Sequence, residues 1–190
     1  RQTEFFHRFI LGTYDLMERL TTRFPDILFE NCSGGGGRFD PAMLYYSPQI
    51  WASDNTDPIE RLYIQFGTSL CYPASTVGAH VSACPRTGYE TKGNVALWGT
   101  FGYELDPRKL TEDDRAIVRR QVALYHDTYD LIRTGDLYRL VSPFDNAFRA
   151  VWQIVSEDKT RTMVTLVTMR MDYIPHTILR LRGLEPDRIY

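Results

Sequence analysis

Short apolar runs alternate with stretches of helical periodicity through the first 135 residues, and this alternation limits the fold more than any other feature. The runs are too short for helices and end in polar or glycine residues, as buried strands of a parallel sheet do. The pattern predicts four β/α units. Their strands are expected at 27–29 and 50–53, within a weaker unit at 77–97, and at 98–105.

Three stretches carry apolar residues at spacings of three and four, which indicates helices with one buried face. Pro25 is expected to end the first helix, because proline cannot continue a helix. The last helix has a capping-box-like start, Thr111 with Asp114 three residues on, and Gly135 as a natural stop. The helical stripes lie at 6–24, 59–70 and 118–132.

The pattern changes after Gly135. Short β-rich runs at 150–155 and 163–169 are separated by turn-like residues, and another run follows at 178–181 with no helical stretch between them. This arrangement is typical of a small antiparallel sheet. Residues 136–190 are therefore predicted to begin a β domain.

Four β/α units make half of an eight-fold barrel. The predicted fold is α/β: the second half of a (β/α)8 barrel at 1–135, followed by part of a small antiparallel β domain at 136–190. An open half-barrel leaves two unpaired sheet edges, so we expect the missing strands to precede residue 1. Exposed edges and apolar faces also favour self-association, and we predict a homo-oligomer.

Composition excludes several classes of function. A net charge of −2 gives no strong field for nucleic acid or an anionic membrane. No apolar run approaches the roughly 20 residues that span a bilayer, and the first residues have no signal-peptide core. The three cysteines are an odd number at irregular spacing, which argues against a disulfide framework. We therefore expect a soluble protein of a reducing compartment, the cytoplasm.

The stretch WASDNTDPIE at 51–60 contains three acidic residues with different predicted roles. Asp57 is a good N-cap with Pro58 at the first helical position, and Glu60 is expected to close a capping box. Asp54 lies ahead of that cap at a strand end, where barrel enzymes place catalytic groups. Its alternative role is to brace the loop through backbone amides. Trp51 is either a platform for the apolar face of a sugar ring or a core residue.

A second stretch, FENCSGGGGRFDP, places four consecutive glycines just after a strand. Glycines there let the backbone approach a ligand closely; a flexible linker is the alternative. A phosphate-binding loop is disfavoured because the lysine and Ser/Thr of the nucleotide motif are missing. Arg38 and Asp40 are expected to pair locally.

The spacing of Cys71, His80 and Cys84 matches no common zinc site, so no metal or cofactor is predicted. Cys32, just after the first strand, is taken on its own as a small buried hydrophobe more readily than as a ligand contact.

The segment LFENCSGGGGRFDPAMLYYSPQIWASDNTDPIERL resembles the signature region of family 36 glycoside hydrolases, the retaining α-galactosidases. GAHVSACP, GTFGYELD and SPF follow in the order that the family shows. The resemblance implies that Asp54 is the general acid/base and that Cys32, Gly34, Gly35 and Trp51 line a galactose pocket. It also implies hydrolysis of terminal α-galactosides such as melibiose and raffinose.

The family's nucleophile is an aspartate in a lysine-x-aspartate-x-asparagine-arginine motif, and these 190 residues contain no such motif. A retaining enzyme needs two carboxyl groups, so this chain is expected to carry one half of the chemistry. The segment CPRTGYETKGN is also shorter than the family's usual loop. A non-catalytic galactose-binding or assembly fragment and a galactosyl transferase of a related family remain alternatives.

Overall fold

In a computed structural model, the chain forms two compact units, Arg1–Asp54 and Asn55–Tyr190. The structure describes residues 2–37, 39–171 and 176–190. No helix in these ranges is long and apolar enough to cross a membrane.

In its described residues, the first unit contains two helices, a short turn at the glycines that is labelled α2, and two short strands. In chain order its elements are α1 (Gln2–Arg23), β1 (Glu30–Asn31), α2 (Ser33–Gly36), α3 (Pro41–Tyr46) and β2 (Gln49–Ile50). β1 and β2 are parallel, with Glu30 opposite Gln49 and Asn31 opposite Ile50. Asp40 caps α3, because its Oδ1 accepts from the Met43 N–H at 2.9 Å.

The helix α1 ends two residues before Pro25, close to the predicted position. The prediction of a buried face is wrong for the described chain, since none of the residues of α1 is buried. Phe6 is 57% exposed and Phe9 is 58% exposed. Periodicity identifies the side chains that share a face, but it does not say what covers that face.

The first strand also lies later than predicted. Residues 27–29 are not part of a strand, and β1 begins at Glu30. Ile27 and Leu28 are exposed, so this apolar run is not buried in the described chain. The parallel pairing with β2 is made instead by the two polar residues that follow the run, Glu30 and Asn31.

The second unit begins with the predicted β/α units. Its first elements are α4 (Pro58–Thr68), β3 (Gly78–Ser82), α5 (Tyr89–Ala96), β4 (Thr100–Glu104) and α6 (Glu112–Thr134). β3 and β4 are parallel, from Gly78 opposite Thr100 to Ser82 opposite Glu104. The predicted capping box of α6 is confirmed, because the side chains of Thr111 and Asp114 each accept from the other's backbone N–H. Gly135 ends α6, also as predicted.

An antiparallel sheet completes the second unit. Its strands are β5 (Asp136–Val141), β6 (Arg149–Val155) and β7 (Thr162–Thr168), paired in the order β5-β6-β7. The predicted strands at 150–155 and 163–169 are confirmed, with shifts of one residue at their ends. β5 was not predicted, because its charged residues interrupt the apolar pattern.

The strand predicted at 178–181 is wrong. The chain there has no strand pairing, and Ile178 is 93% exposed. The following residues are held by a side chain instead: the buried Gln153 amide donates to Arg182 O at 3.0 Å and accepts from Arg182 N–H at 2.9 Å. The apolar pattern of 178–181 therefore does not correspond to a buried position.

Three aromatic rings form the centre of the second unit's core. Phe66 of α4, Trp98 before β4 and Trp152 of β6 lie with ring centroids 5.0 to 6.1 Å apart. Both tryptophans are fully buried. Such ring pairs add stabilisation beyond the area that they bury. The core therefore packs the β/α part of this unit directly against its antiparallel sheet.

Asp57 caps α4 as predicted, and its carboxylate is almost saturated with donors. Oδ1 accepts from the N–H groups of Ile59 and Glu60 at 2.9 and 3.1 Å and from Arg86 Nη1 at 3.2 Å. The Cys84 thiol donates to Oδ2 at 3.5 Å. Asp57 is thus a structural residue of the helix start.

The prediction that Glu60 closes a capping box is wrong. The Asp57 N–H, which such a box would satisfy through Glu60, donates to Asn55 Oδ1 at 3.0 Å. The Glu60 carboxylate accepts from Arg86 Nη1 at 3.3 Å instead. Glu60 therefore binds Arg86, 26 residues away, and not the Asp57 N–H.

The pKa of the Asp57 carboxyl lies below its usual value. Burial alone would raise the pKa, but the hydrogen bonds from the Glu60 and Ile59 backbone and the charge of Arg86 together lower it by more. A carboxyl group with a depressed pKa in the folded state stabilises the fold above its unfolded pKa. That stabilisation is lost as the pH falls through the folded pKa.

The substitution Asp57→Ala should lower the free energy of unfolding by about 1 kcal/mol at pH 7, because it removes an N-cap. The deficit should shrink as the pH falls below about 3.9, the unfolded pKa of aspartate. Urea unfolding at pH 7, 5 and 3 measures both effects. The control Asp57→Asn keeps a capping oxygen and should lose less stability at pH 7. Equal stability of Asp57→Ala and the unsubstituted protein would contradict the assignment.

Candidate active site

The ends of β1 and β2 bring two loops together in the first unit. The Trp51 N–H donates to Asn31 O at 2.9 Å, which extends the parallel pairing by one hydrogen bond beyond the strands. The carboxyl ends of parallel strands meet at one edge of a sheet, and barrel enzymes bind their ligands there. The predicted site residues after β1 and after β2 therefore lie at the same edge.

The glycine run forms a tight turn after β1. Gly34 and Gly35 have φ values of +65° and +77°, in the left-handed region that favours glycine. A Cβ atom on Gly35 would lie 3.1 Å from Asp54 N and 3.5 Å from Asp54 Oδ2. A Cβ atom on Gly34 would meet nothing within 4 Å. The structure thus brings the predicted residues Gly35 and Asp54 into contact.

Asp54 is exposed and follows β2 by four residues, ahead of the Asp57 cap. Its Oδ1 accepts from the indole N–H of Trp51 at 3.0 Å. Trp51 is 7% exposed. Among the described residues, Trp51 is the one side chain that donates a hydrogen bond to Asp54.

Cys32 follows β1 directly and is a half-buried free thiol. Its N–H donates to Asn31 Oδ1 at 3.1 Å. Asn31 was missed by the sequence analysis, although it bonds both Cys32, through its side chain, and Trp51, through its carbonyl oxygen. The available signal was an amide side chain between the apolar run at 27–29 and the glycine run.

The predicted pair of Arg38 and Asp40 is not described, because Arg38 lies outside the described residues. The Asp40 carboxylate accepts from Tyr14 Oη at 3.1 Å in addition to capping α3. In this way Asp40 connects the segment after the glycine run to α1.

The residues considered for zinc have other contacts. His80 Nδ1 lies 2.7 Å from Glu104 Oε1, and the Cys84 thiol donates to Asp57. Within the described ranges, no group of three or more His, Cys, Asp or Glu residues has the arrangement of a metal site.

The site can therefore exchange a proton with a ligand. One Asp54 oxygen is held by an indole N–H and the other lies beside a turn without side chains. Backbone N–H groups of such a turn can donate to a bound polar group. A carboxyl group beside the exposed backbone of a glycine turn suits a substrate rich in hydroxyl groups.

Comparisons with known proteins agree on one family. A family model for melibiase matches residues 1–135. The α-galactosidase AgaA of Geobacillus stearothermophilus is 50% identical over 197 residues, covering 100% of this chain and 27% of AgaA. This chain thus spans about a quarter of the length of that relative. At least seven aligned positions of AgaA have no counterpart among the 190 residues.

Solved structures give the same result. The family 36 α-galactosidase AgaB of Geobacillus stearothermophilus matches with a TM-score of 0.90 and 51% identity, covering 95% of this chain and 26% of AgaB. A variant of AgaA solved in complex with raffinose matches with a TM-score of 0.90 and 50% identity, covering 94% of this chain and 26% of AgaA.

The structural matches confirm the predicted fold, part of a (β/α)8 barrel followed by an antiparallel β domain. The family model matches residues 1–135, and AgaA is 50% identical over the whole chain. Similarity of this extent does not arise by chance. The chain belongs to the melibiase family, the α-galactosidases of glycoside hydrolase family 36.

Proposed function

We propose that this chain carries the acid/base half of a retaining α-galactosidase active site, with Asp54 as the general acid/base. The contact of the Asp54 carboxyl with the glycine turn is the observation that carries the proposal. The whole enzyme would hydrolyse terminal α-galactosides such as melibiose and raffinose. The raffinose complex of AgaA supports this substrate class.

The second carboxyl group of the reaction comes from outside these 190 residues. A retaining glycosidase places its two carboxyl groups about 5–5.5 Å apart, one as nucleophile and one as acid/base. The aspartate motif that carries the nucleophile in this family is missing from this sequence. The chemistry assigned to this chain is therefore proton transfer.

Asp54 acts twice in this mechanism. In the first step its carboxyl group donates a proton to the glycosidic oxygen, while the bond from the anomeric carbon to that oxygen breaks. In the second step its carboxylate accepts a proton from the water that attacks the galactosyl enzyme. The exposed position of Asp54 at the strand edge leaves it accessible to both the leaving group and that water.

The galactose pocket is proposed to include Cys32, Gly34, Gly35 and Trp51. The turn presents backbone rather than side chains, which allows close hydrogen bonds to ring hydroxyls. Buried hydrogen bonds to one hydroxyl strongly disfavour a sugar in which that hydroxyl points elsewhere. This is the physical basis proposed for the choice of galactose over glucose.

Three further proposals concern the whole protein. We assign residues 1–135 to the barrel and 136–190 to the β domain, supported by the extent of the family match. Self-association as a homo-oligomer is supported by the exposed apolar side chains of α1. A cytoplasmic location is supported by three free cysteines.

Hydrolysis by a full-length enzyme that contains this chain should proceed with retention. The first product formed from an aryl α-galactoside should be α-galactose, which proton NMR detects before mutarotation. Two displacements at the anomeric carbon give this result, whereas one gives inversion. First formation of β-galactose would exclude the proposed mechanism.

The substitution Asp54→Asn in the same enzyme should reduce turnover most for substrates with poor leaving groups. Melibiose should lose about 10²–10⁴-fold in kcat/KM, because its leaving group needs a proton. A dinitrophenyl α-galactoside, whose leaving group needs none, should lose far less. Asp57→Asn is the matched control and should change both rates by less than a few-fold. Equal losses on both substrates would reassign Asp54.

The substitution Gly35→Ala should impair the reaction more than Gly34→Ala. Both residues have positive φ, so each alanine strains the backbone by about 1–3 kcal/mol. The alanine at position 35 would in addition crowd Asp54, and a misplacement of about 1 Å can cost about 10²-fold in rate. Thermal unfolding and kcat/KM on melibiose separate the two effects. Equal kcat/KM values for the two variants would show that Gly35 does not shape the site.

A further inference from the structure

Trp51 is held in one orientation by contacts at both ends of the residue. Its N–H donates to Asn31 O at 2.9 Å, and its indole N–H donates to Asp54 Oδ1 at 3.0 Å. Only 7% of the residue is exposed. A sugar platform needs an open ring face, and this burial leaves little of the indole open to a ligand.

We infer that Trp51 is a positioning residue for Asp54, and that its indole N–H selects Oδ2 as the oxygen that exchanges the proton. The inference rests on the proposed acid/base function of Asp54. The sugar-platform role predicted for Trp51 would use the face of its ring. The role inferred here uses its indole N–H.

The selection follows from the chemistry of the two groups. An indole N–H is a donor only, so the oxygen that faces it must accept. When Asp54 is protonated, the carbonyl-like oxygen is the better acceptor, and the hydroxyl is therefore the other oxygen. With Oδ1 accepting from Trp51, the proton resides on Oδ2.

The surroundings of Oδ2 fit this assignment. Oδ2 lies beside Gly35, 3.5 Å from where a side chain would begin. Within the described part of the chain, no side chain or backbone N–H donates to Oδ2. The glycine leaves the approach to Oδ2 open, so a glycosidic oxygen or a water molecule can reach it.

Proton transfer is balanced in both steps. The Oδ2–H proton passes to the glycosidic oxygen as the bond to the anomeric carbon breaks, leaving Asp54 as a carboxylate. Oδ2 then takes the proton of the attacking water as the new carbon–oxygen bond forms. Trp51 keeps its own proton throughout and only fixes the carboxyl plane.

The test uses Trp51→Phe in a full-length enzyme that contains this chain, because phenylalanine keeps a ring and removes the N–H. We expect kcat/KM for melibiose to fall by about 10–100-fold, the size of effect that a misoriented catalytic group produces. The kcat/KM for a dinitrophenyl α-galactoside should fall by less than about 3-fold, since its departure in the first step needs no proton. The KM for melibiose should stay within about 2-fold, because phenylalanine keeps an apolar ring at this position of the pocket.

The matched control is Trp152→Phe. Trp152 is fully buried, and its indole N–H has no hydrogen-bond partner among the described residues. This variant makes the same chemical change away from the site and should lower both rates equally or not at all. A second probe replaces Trp51 with 3-benzothienylalanine, which keeps the shape of the indole and carries sulfur in place of the N–H. It should reproduce the effect of Trp51→Phe if the phenylalanine variant folds poorly.

Two outcomes would overturn this inference and leave the proposed function of Asp54 intact. Equal losses on both substrates with a raised KM would show that the ring face binds the sugar. The same rates for the Trp51 and Trp152 variants would show that the N–H does not position Asp54. Asp54→Asn is measured alongside: if it shows no dependence on the leaving group, the proposed function fails and this inference fails with it.

Discussion

The hydrogen bond from the Trp51 N–H to Asn31 O fixes the geometry of the candidate site. It continues the parallel pairing of two strands that are only two residues long. Because the strands are so short, this bond and the Asn31 side chain set where both loops leave the sheet. The glycine turn and Asp54, more than 15 positions apart in sequence, meet as a consequence.

Asp54 and Asp57 differ in how many of their carboxylate lone pairs already accept a hydrogen bond. A carboxylate has about four lone-pair sites. Asp57 receives three donors on Oδ1 and a thiol on Oδ2, which leaves little capacity for a substrate. Among the described residues, Asp54 receives one donor, the Trp51 indole N–H on Oδ1. The free acceptor capacity of Asp54 therefore supports its proposed acid/base role, and Asp57 is accounted for as the N-cap of α4.

The sequence predicted the elements whose signals are local, and it failed where the partner is distant. The helix cap at Asp57, the capping box of α6 and the stop at Gly135 depend on neighbouring residues, and all were correct. The role of Glu60 was wrong because Arg86, 26 residues away, replaces its local partner. The strand expected at 178–181 was wrong because that apolar run pairs with no strand in the part of the chain that the structure describes.

The same distinction applies to the site. The resemblance supplied the residue types, and the glycine run indicated a close approach of the backbone, but neither indicated which residues touch. The contact of Gly35 with Asp54 depends on the register of β1 and β2, which no local pattern encodes. The indole hydrogen bond depends on how Trp51 is buried, and an aromatic residue at a strand end is compatible with either a sugar platform or a core position.

Gly135 separates the β/α part of the second unit from its antiparallel sheet. The hydrophobic core of the unit contains residues from both parts. Trp152 of β6 contacts both Phe66 of α4 and Trp98 before β4, so removal of the antiparallel sheet would expose rings of the β/α part. The helix α4 thus depends on the sheet for its packing, and its first turn holds Asp57. Residues 136–190 are for this reason part of what keeps the start of α4 in place, although no residue proposed for the chemistry lies among them.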